Sequence, residues 1–126
     1  MMARSGIFEG ASCVVGRNGR LLSQSTLEML PIIRSVCADA PVIQKLYLFG
    51  SRARGIDNPC SDYDFYGILD LRHPDLAHRY LDAIERLESA VGGSVDFVVD
   101  GYWSDRDGVL RSEIERDKVL IYNRDA

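Results

Sequence analysis

Three aspartates and a Gly-Ser dipeptide carry the chemistry that this sequence offers. Asp62 and Asp64 stand two apart in Ser61-Asp62-Tyr63-Asp64-Phe65. In an extended strand both would project from one face, with Tyr63 and Phe65 on the other. Two carboxylates about 4 Å apart repel by roughly 4 kcal/mol at an effective dielectric near 20. A divalent cation between them removes that cost, and hard carboxylate oxygens suit Mg²⁺ or Mn²⁺ rather than zinc. Asp96 interrupts the apolar run Val95-Asp96-Phe97-Val98-Val99. A charge inside such a strand is expensive unless it is paired or bound to metal. If the two strands are neighbours, Asp62, Asp64 and Asp96 can form a cluster that holds two metal ions for in-line phosphoryl transfer. Asp96 could also accept the proton of an attacking hydroxyl. Gly50-Ser51 supplies the complement, because a glycine lets backbone approach a phosphate closely and a turn N–H with a serine hydroxyl can hold its oxygens. Arg52 and Arg54 lie just beyond and could offer guanidinium donors to a polyphosphate.

Other polar residues have plainer readings. Asp70 and Asp100 are expected to end strands, with Asp100 the fallback should Asp96 point the wrong way. His73 and His78 flank or ride a helix and are read as solvated or capping. Tyr47, Tyr63 and Tyr66 are read as packing residues on strands. Ser51 is not in a Gly-x-Ser-x-Gly elbow and the chain has no Gly-x-x-x-x-Gly-Lys-Ser/Thr loop, so serine hydrolases and P-loop enzymes lack their parts.

The elements that must position these residues follow from periodicity. Residues 43–49, Ile-Gln-Lys-Leu-Tyr-Leu-Phe, read as a strand delivering the Gly50-Ser51 turn. Residues 63–71 read as a second strand and 94–99 as a third. Ser25-Thr26-Leu27-Glu28 resembles a capping box opening a first helix, in which Leu27, Leu30, Ile33 and Cys37 share a face. Pro31 inside it predicts a kink or a later start, since an interior proline costs about 3 kcal/mol. Pro74 suits the first turn of a second helix, whose stripe Leu76, Tyr80, Ile84, Leu87, Val91 ends at Gly92-Gly93. A short helix over 107–116 and a last strand over 119–122 complete the chain. The brief stretch between the first two strands leaves little room for a crossover helix of ordinary length. The expectation is an α+β fold, a mixed sheet with helices packed mainly on one face. Residues 1–23 are set apart as an N-terminal extension, hairpin or flexible arm, around the Asn18-Gly19 turn signal, and 24–126 as one domain.

Composition agrees with a single domain: 126 residues, 46% hydrophobic and 27% charged. The net charge of −4 argues against stable nucleic-acid binding, which needs a basic footprint. It leaves room for a small anionic ligand that brings its own metal ions. Cys13, Cys37 and Cys60 are odd in number and form no C-x-x-C pair, so neither a disulfide framework nor a zinc knuckle is suggested. No apolar run approaches the roughly 18 residues of a membrane span, and the opening Met-Met-Ala-Arg-Ser lacks an apolar signal core. No membrane partner is expected, and the cytoplasm is the default location.

The spacing Gly50-Ser51, ten residues, Asp62-Tyr63-Asp64 resembles the signature Gly-Ser-x10-Asp-x-Asp of the minimal nucleotidyltransferases of the DNA polymerase β superfamily. Phe49-Gly50-Ser51-Arg52-Ala53-Arg54-Gly55 and Ser61-Asp62-Tyr63-Asp64-Phe65 match that family's wording, and Val95-Asp96-Phe97 is similar to its third-acid strand. The likeness covers roughly residues 27–122. It implies a polymerase β-like core that binds ATP with Mg²⁺ (two ions, Mn²⁺ an alternative) and transfers a nucleoside monophosphate to an acceptor. Many such proteins are antitoxins whose partner is a HEPN-domain ribonuclease toxin, inactivated by AMP transfer to a tyrosine. The resemblance thus implies an enzyme acting on a protein hydroxyl, in a homo- or hetero-oligomer. Two alternatives stand beside it: a non-catalytic module that neutralises a toxin by binding, and a transferase acting on a small molecule such as an aminoglycoside.

Overall fold

The computed structural model describes residues 14–126, so residues 1–13 of the N-terminal extension lie outside the described residues. Within the remainder, Val15 and Leu21 form an isolated antiparallel bridge around a turn in which Gly19 takes φ 82°. Asn18 Nδ2 donates to the Arg54 carbonyl at 3.2 Å, which ties this turn to the segment after Gly50-Ser51.

The first helix, α1 (Gln24–Ala38), is capped by Ser23, whose side chain accepts from the Thr26 N–H. The cap thus lies two residues before the expected Ser25. Ser25 and Thr26 have another partner, since both hydroxyls accept from Arg52 Nη1. Pro31 neither starts nor ends the helix, which runs through it. Pro31 is exposed, while Leu30, Ile33 and Cys37 are buried on the core side. Packing of that face outweighs the lost backbone bond, since each large aliphatic side chain contributes roughly 1.5–3 kcal/mol on burial.

Four strands form one sheet. In chain order they are β1 (Ile43–Phe49), β2 (Tyr63–Leu69), β3 (Val95–Val99) and β4 (Val119–Asn123), and their order across the sheet is β3-β2-β1-β4. β1 is antiparallel to β2 and to β4, whereas β2 and β3 are parallel. The parallel pair needs a crossover, supplied by α3 (Leu76–Val91), which ends at Gly92 in the left-handed region. Two shorter helices complete the chain: α2 (Gly50–Arg54), directly after β1, and α4 (Val109–Asp117).

Alternation along the strands gives the sheet two unlike faces. Leu46, Leu48 and Phe65 face α1 and α3 and join Leu30, Ile33, Ala83 and Leu87 in the main core. Phe49 and Tyr66 face the other way, with Ile114 of α4 and flanking Tyr47, Val98, Trp103 and Leu110. The two long helices therefore cover one face, and only the short α4 covers part of the other. This is the expected α+β arrangement, and it leaves ground beside α4 for a site. Among the described residues, no helix is long and apolar enough to cross a membrane.

Gly67 marks a tight point in the main core. A Cβ there would stand 2.5 Å from the Phe97 ring. Gly67→Ala should lower stability by about 1–3 kcal/mol through overpacking, read as a lower urea midpoint at unchanged m-value.

Candidate active site

The parallel register of β2 and β3 sets Asp64 and Asp96 opposite one another. Across the antiparallel pair, Phe49 is the partner of Asp64. All three lie on the face shared with α4, and Gly50 follows Phe49 directly. Gly50 takes φ 75°, and a Cβ built on it would run into Asp64 Oδ2. Glycine is required here for two reasons, the left-handed backbone and the acid pressed against it. Ser51 is half-buried in the first turn of α2.

Asp64 sits in a strained electrostatic setting. Burial pushes its carboxyl up to about 6, helped by the charge of Asp96, a side-chain hydrogen bond with Asp96, and the charges of Glu113 and Asp62. A cleft of about 310 Å³ opens at this point, lined by Phe49, Asp64, Asp96, Leu110 and Glu113 among others. Its oxygen-only acidic donors fit a hard divalent cation.

The three expected acids do not close into one set. Among the described residues, no group of three or more His, Cys, Asp or Glu side chains converges on a common metal position. Asp64 and Asp96 form the close pair. Asp62 is exposed, one residue before β2 begins, and lines a second cleft of about 320 Å³ with Cys60, Gly92 and Gly93. Like charges repel, and a side chain ahead of the strand is free to stand apart. Asp96 also departs from its expected setting. It is exposed on an edge strand, where solvent access lowers the cost of its charge.

The two arginines are placed differently from expectation. Arg52 has a side chain only 3% exposed and pairs with Asp57 at 3.0 Å. Its remaining donors go to Ser25, Thr26 and the carbonyls of Asn58, Pro59 and Ser61. No N–H is left for a phosphate, so the reading of Arg52 as a polyphosphate donor is corrected. Arg54 is 28% exposed; it bonds Asp117 at 2.5 Å and lies 3.9 Å from Glu113. Burial acts to raise the Asp117 carboxyl, but hydrogen bonds from Arg116 and Arg54 outweigh it and hold the group below its usual range.

Glu113 was not singled out in the sequence. Its signal is helical spacing: Leu110, Glu113, Ile114 and Asp117 fall at i, i+3, i+4 and i+7, one face of α4. Two acids on the inward stripe of a helix indicate polar business beneath it. Tyr66 likewise does more than pack, since its hydroxyl donates to Asp100. Burial and that bond raise the Tyr66 phenol well above its ordinary value. Asp100 is thereby occupied on the same sheet face, two residues beyond Val98. Asp70, just past β2, accepts from the Arg72 N–H, and His78 is exposed beside Asp75.

The family model described as Polymerase beta, Nucleotidyltransferase matches residues 32–126. The chain belongs to this nucleotidyltransferase family. No curated protein sequence matches it. Solved structures share the fold. A toxin–antitoxin crystallised with AMP-PNP is 24% identical, with TM-score 0.58, over 75% of this chain and 73% of that one. A protein described as a minimal nucleotidyltransferase is 24% identical, with TM-score 0.57, over 76% and 92%. A Shewanella oneidensis complex of a tri-AMPylated HEPN toxin with an MNT antitoxin gives 21%, with TM-score 0.53, over 79% and 73%.

Two substitutions probe the crowding at the candidate site of this nucleotidyltransferase. Gly50→Ala should lower stability by at least about 1–3 kcal/mol, the cost of a side chain in the left-handed region, measured by chemical unfolding. Asp64→Asn should do the reverse in metal-free protein. A carboxylate whose folded pKa is raised from 3.8 to about 6 disfavours the fold at neutral pH, and that penalty fades as pH falls from about 6 toward 3.8. After discounting for solvent screening the gain is roughly 1 kcal/mol, a rise of a few degrees in Tm at pH 7.5. The gain should shrink toward pH 5, as scanning calorimetry across pH can show.

Proposed function

We propose that this nucleotidyltransferase uses Mg²⁺ and ATP to place AMP on a hydroxyl of a protein partner, as the antitoxin of a HEPN-type toxin–antitoxin pair in the cytoplasm. The observation that carries the reading is the facing of Asp64 and Asp96 across β2 and β3 with the Gly50 backbone against Asp64. In this reading Asp62, Asp64 and Asp96 hold the divalent ions. Bound Mg²⁺ would neutralise phosphate charge and offset the repulsion among the acids. The backbone at Gly50 and the Ser51 N–H and hydroxyl hold the polyphosphate, and Arg54, partly exposed beside them, adds a guanidinium donor. Asp96, on the exposed edge of the sheet, accepts the proton of the incoming hydroxyl. The hydroxyl oxygen then bonds to the α-phosphorus as pyrophosphate leaves. Two structures of like fold support the donor and the setting: one is a toxin–antitoxin with AMP-PNP, the other a tri-AMPylated HEPN toxin with its MNT antitoxin.

The test is label transfer from α-³²P-ATP to a HEPN-domain partner in the presence of Mg²⁺. Wild type should label the partner, and Asp62→Ala or Asp64→Ala should cut labelling by about 100-fold or more, as expected for a group acting on the transition state. Undiminished labelling by either variant refutes the site. Wild type that silences the partner without labelling it favours a purely binding module instead.

A further inference from the structure

We infer that Arg52 is a positioning residue for Asp62, locking the first acid to the glycine turn by gripping both of its chain neighbours. On one side of Asp62, Arg52 Nε and Nη2 both donate to the Ser61 carbonyl, at 3.1 and 3.0 Å. On the other side, the guanidinium carbon lies 3.9 Å from the centre of the Tyr63 ring. Asp62 itself is exposed and precedes the strand; the rung nearest to it is Tyr63 N–H to the Ser94 carbonyl at 3.1 Å. Its place therefore depends on the residues either side, and Arg52 holds both.

The grip is anchored at its far end. Arg52 Nη1 reaches Asp57 Oδ2 and Thr26 Oγ1, each at 3.0 Å. Asp57 Oδ2 also accepts from Ser23 Oγ at 2.8 Å, while Asp57 Oδ1 is buried with no hydrogen-bond partner among the described residues. A fully buried, under-satisfied carboxylate makes the guanidinium hard to displace. Arg52 stands two residues after Gly50 within α2, so the phosphate-facing turn and Asp62 are held by one side chain. Lysine could pair with Asp57, but it cannot also present a planar fork to a carbonyl and a flat face to an aromatic ring. The inference rests on the reading of Asp62 as a metal-binding acid. Supporting groups of this kind typically alter metal affinity by 10–100-fold.

The experiment titrates Mn²⁺ into the full chain with ATP present, following free Mn²⁺ by electron paramagnetic resonance, with Tm recorded for each metal-free variant. Asp62→Asn should weaken Mn²⁺ binding, and Arg52→Lys should weaken it by about tenfold in folded protein. If Asp62→Asn binds as tightly as wild type, the reading of Asp62 falls and the role of Arg52 with it. If Asp62→Asn is weak and Arg52→Lys is as tight as wild type, whatever its Tm, Arg52 is only structural and the inference alone is overturned. Should Arg52→Lys fail to fold, Tyr63→Leu removes the ring that the guanidinium rests on and keeps an apolar side chain. It should weaken Mn²⁺ binding in the same direction, and wild-type affinity there overturns the inference.

Discussion

Two aspartates set side by side across parallel strands, with a glycine backbone against one of them, constrain the rest of this molecule. Adjacent carboxylates repel, and Asp64 is partly withdrawn from water as well. A fold that keeps them so must hold the pair by backbone register, because the side chains would separate if they could. Parallel pairing of β2 and β3 provides that register, and it obliges the chain to cross over through α3. Antiparallel pairing of β1 with β2 then delivers Gly50 to the flank of Asp64. The helix arrangement follows from these demands. The long helices stabilise the far face of the sheet, and the near face stays open enough to hold charge.

In the proposed reading, the near face is where stability and function compete. Local strain of this kind persists when surrounding structure over-determines it. Here the surroundings are α2 and α4, joined by Arg54 to Asp117 and Glu113. The arginines divide the labour by burial. Arg52 is enclosed and satisfied entirely by protein groups, whereas Arg54 keeps part of its surface in solvent. Two arginines two residues apart in a one-turn helix are bound to diverge in this way, since they leave the helix in different directions.

Much of this was legible beforehand. β1 runs over the residues read as the first strand, α3 over its apolar stripe, and the antiparallel step between β1 and β2 followed from the shortness of the connection. The Gly50, Asp64 and Asp96 grouping followed from spacing and strand embedding. What could not be read depended on tertiary partners. Ser23 rather than Ser25 caps α1 because Arg52, distant in sequence, engages Ser25 and Thr26. Local propensity offered a kink or a later helix start at Pro31, and core packing overrode the later start. Arg52 looked like a phosphate donor because its type fits that role, and nothing local announces a buried Asp57 five residues on. The cost argument for Asp96 presumed a central strand, but strand order is not written in periodicity, and β3 proved to be an edge.

That edge position bears on the kind of acceptor the site would serve. A small acceptor is usually enclosed, because binding energy from the whole ligand must hold it for reaction. Among the described residues, Asp96 is exposed on an edge strand, and the cleft beside it is flanked by the short α2 and the nine-residue α4. A site of that form lends little surface to a small molecule but lets a folded partner bring its own surface and present a hydroxyl at the sheet edge. The negative net charge works against a nucleic-acid acceptor, whose phosphates would add to the repulsion already present around Asp64. Openness, edge placement and charge sign are thus consistent with the protein acceptor proposed above.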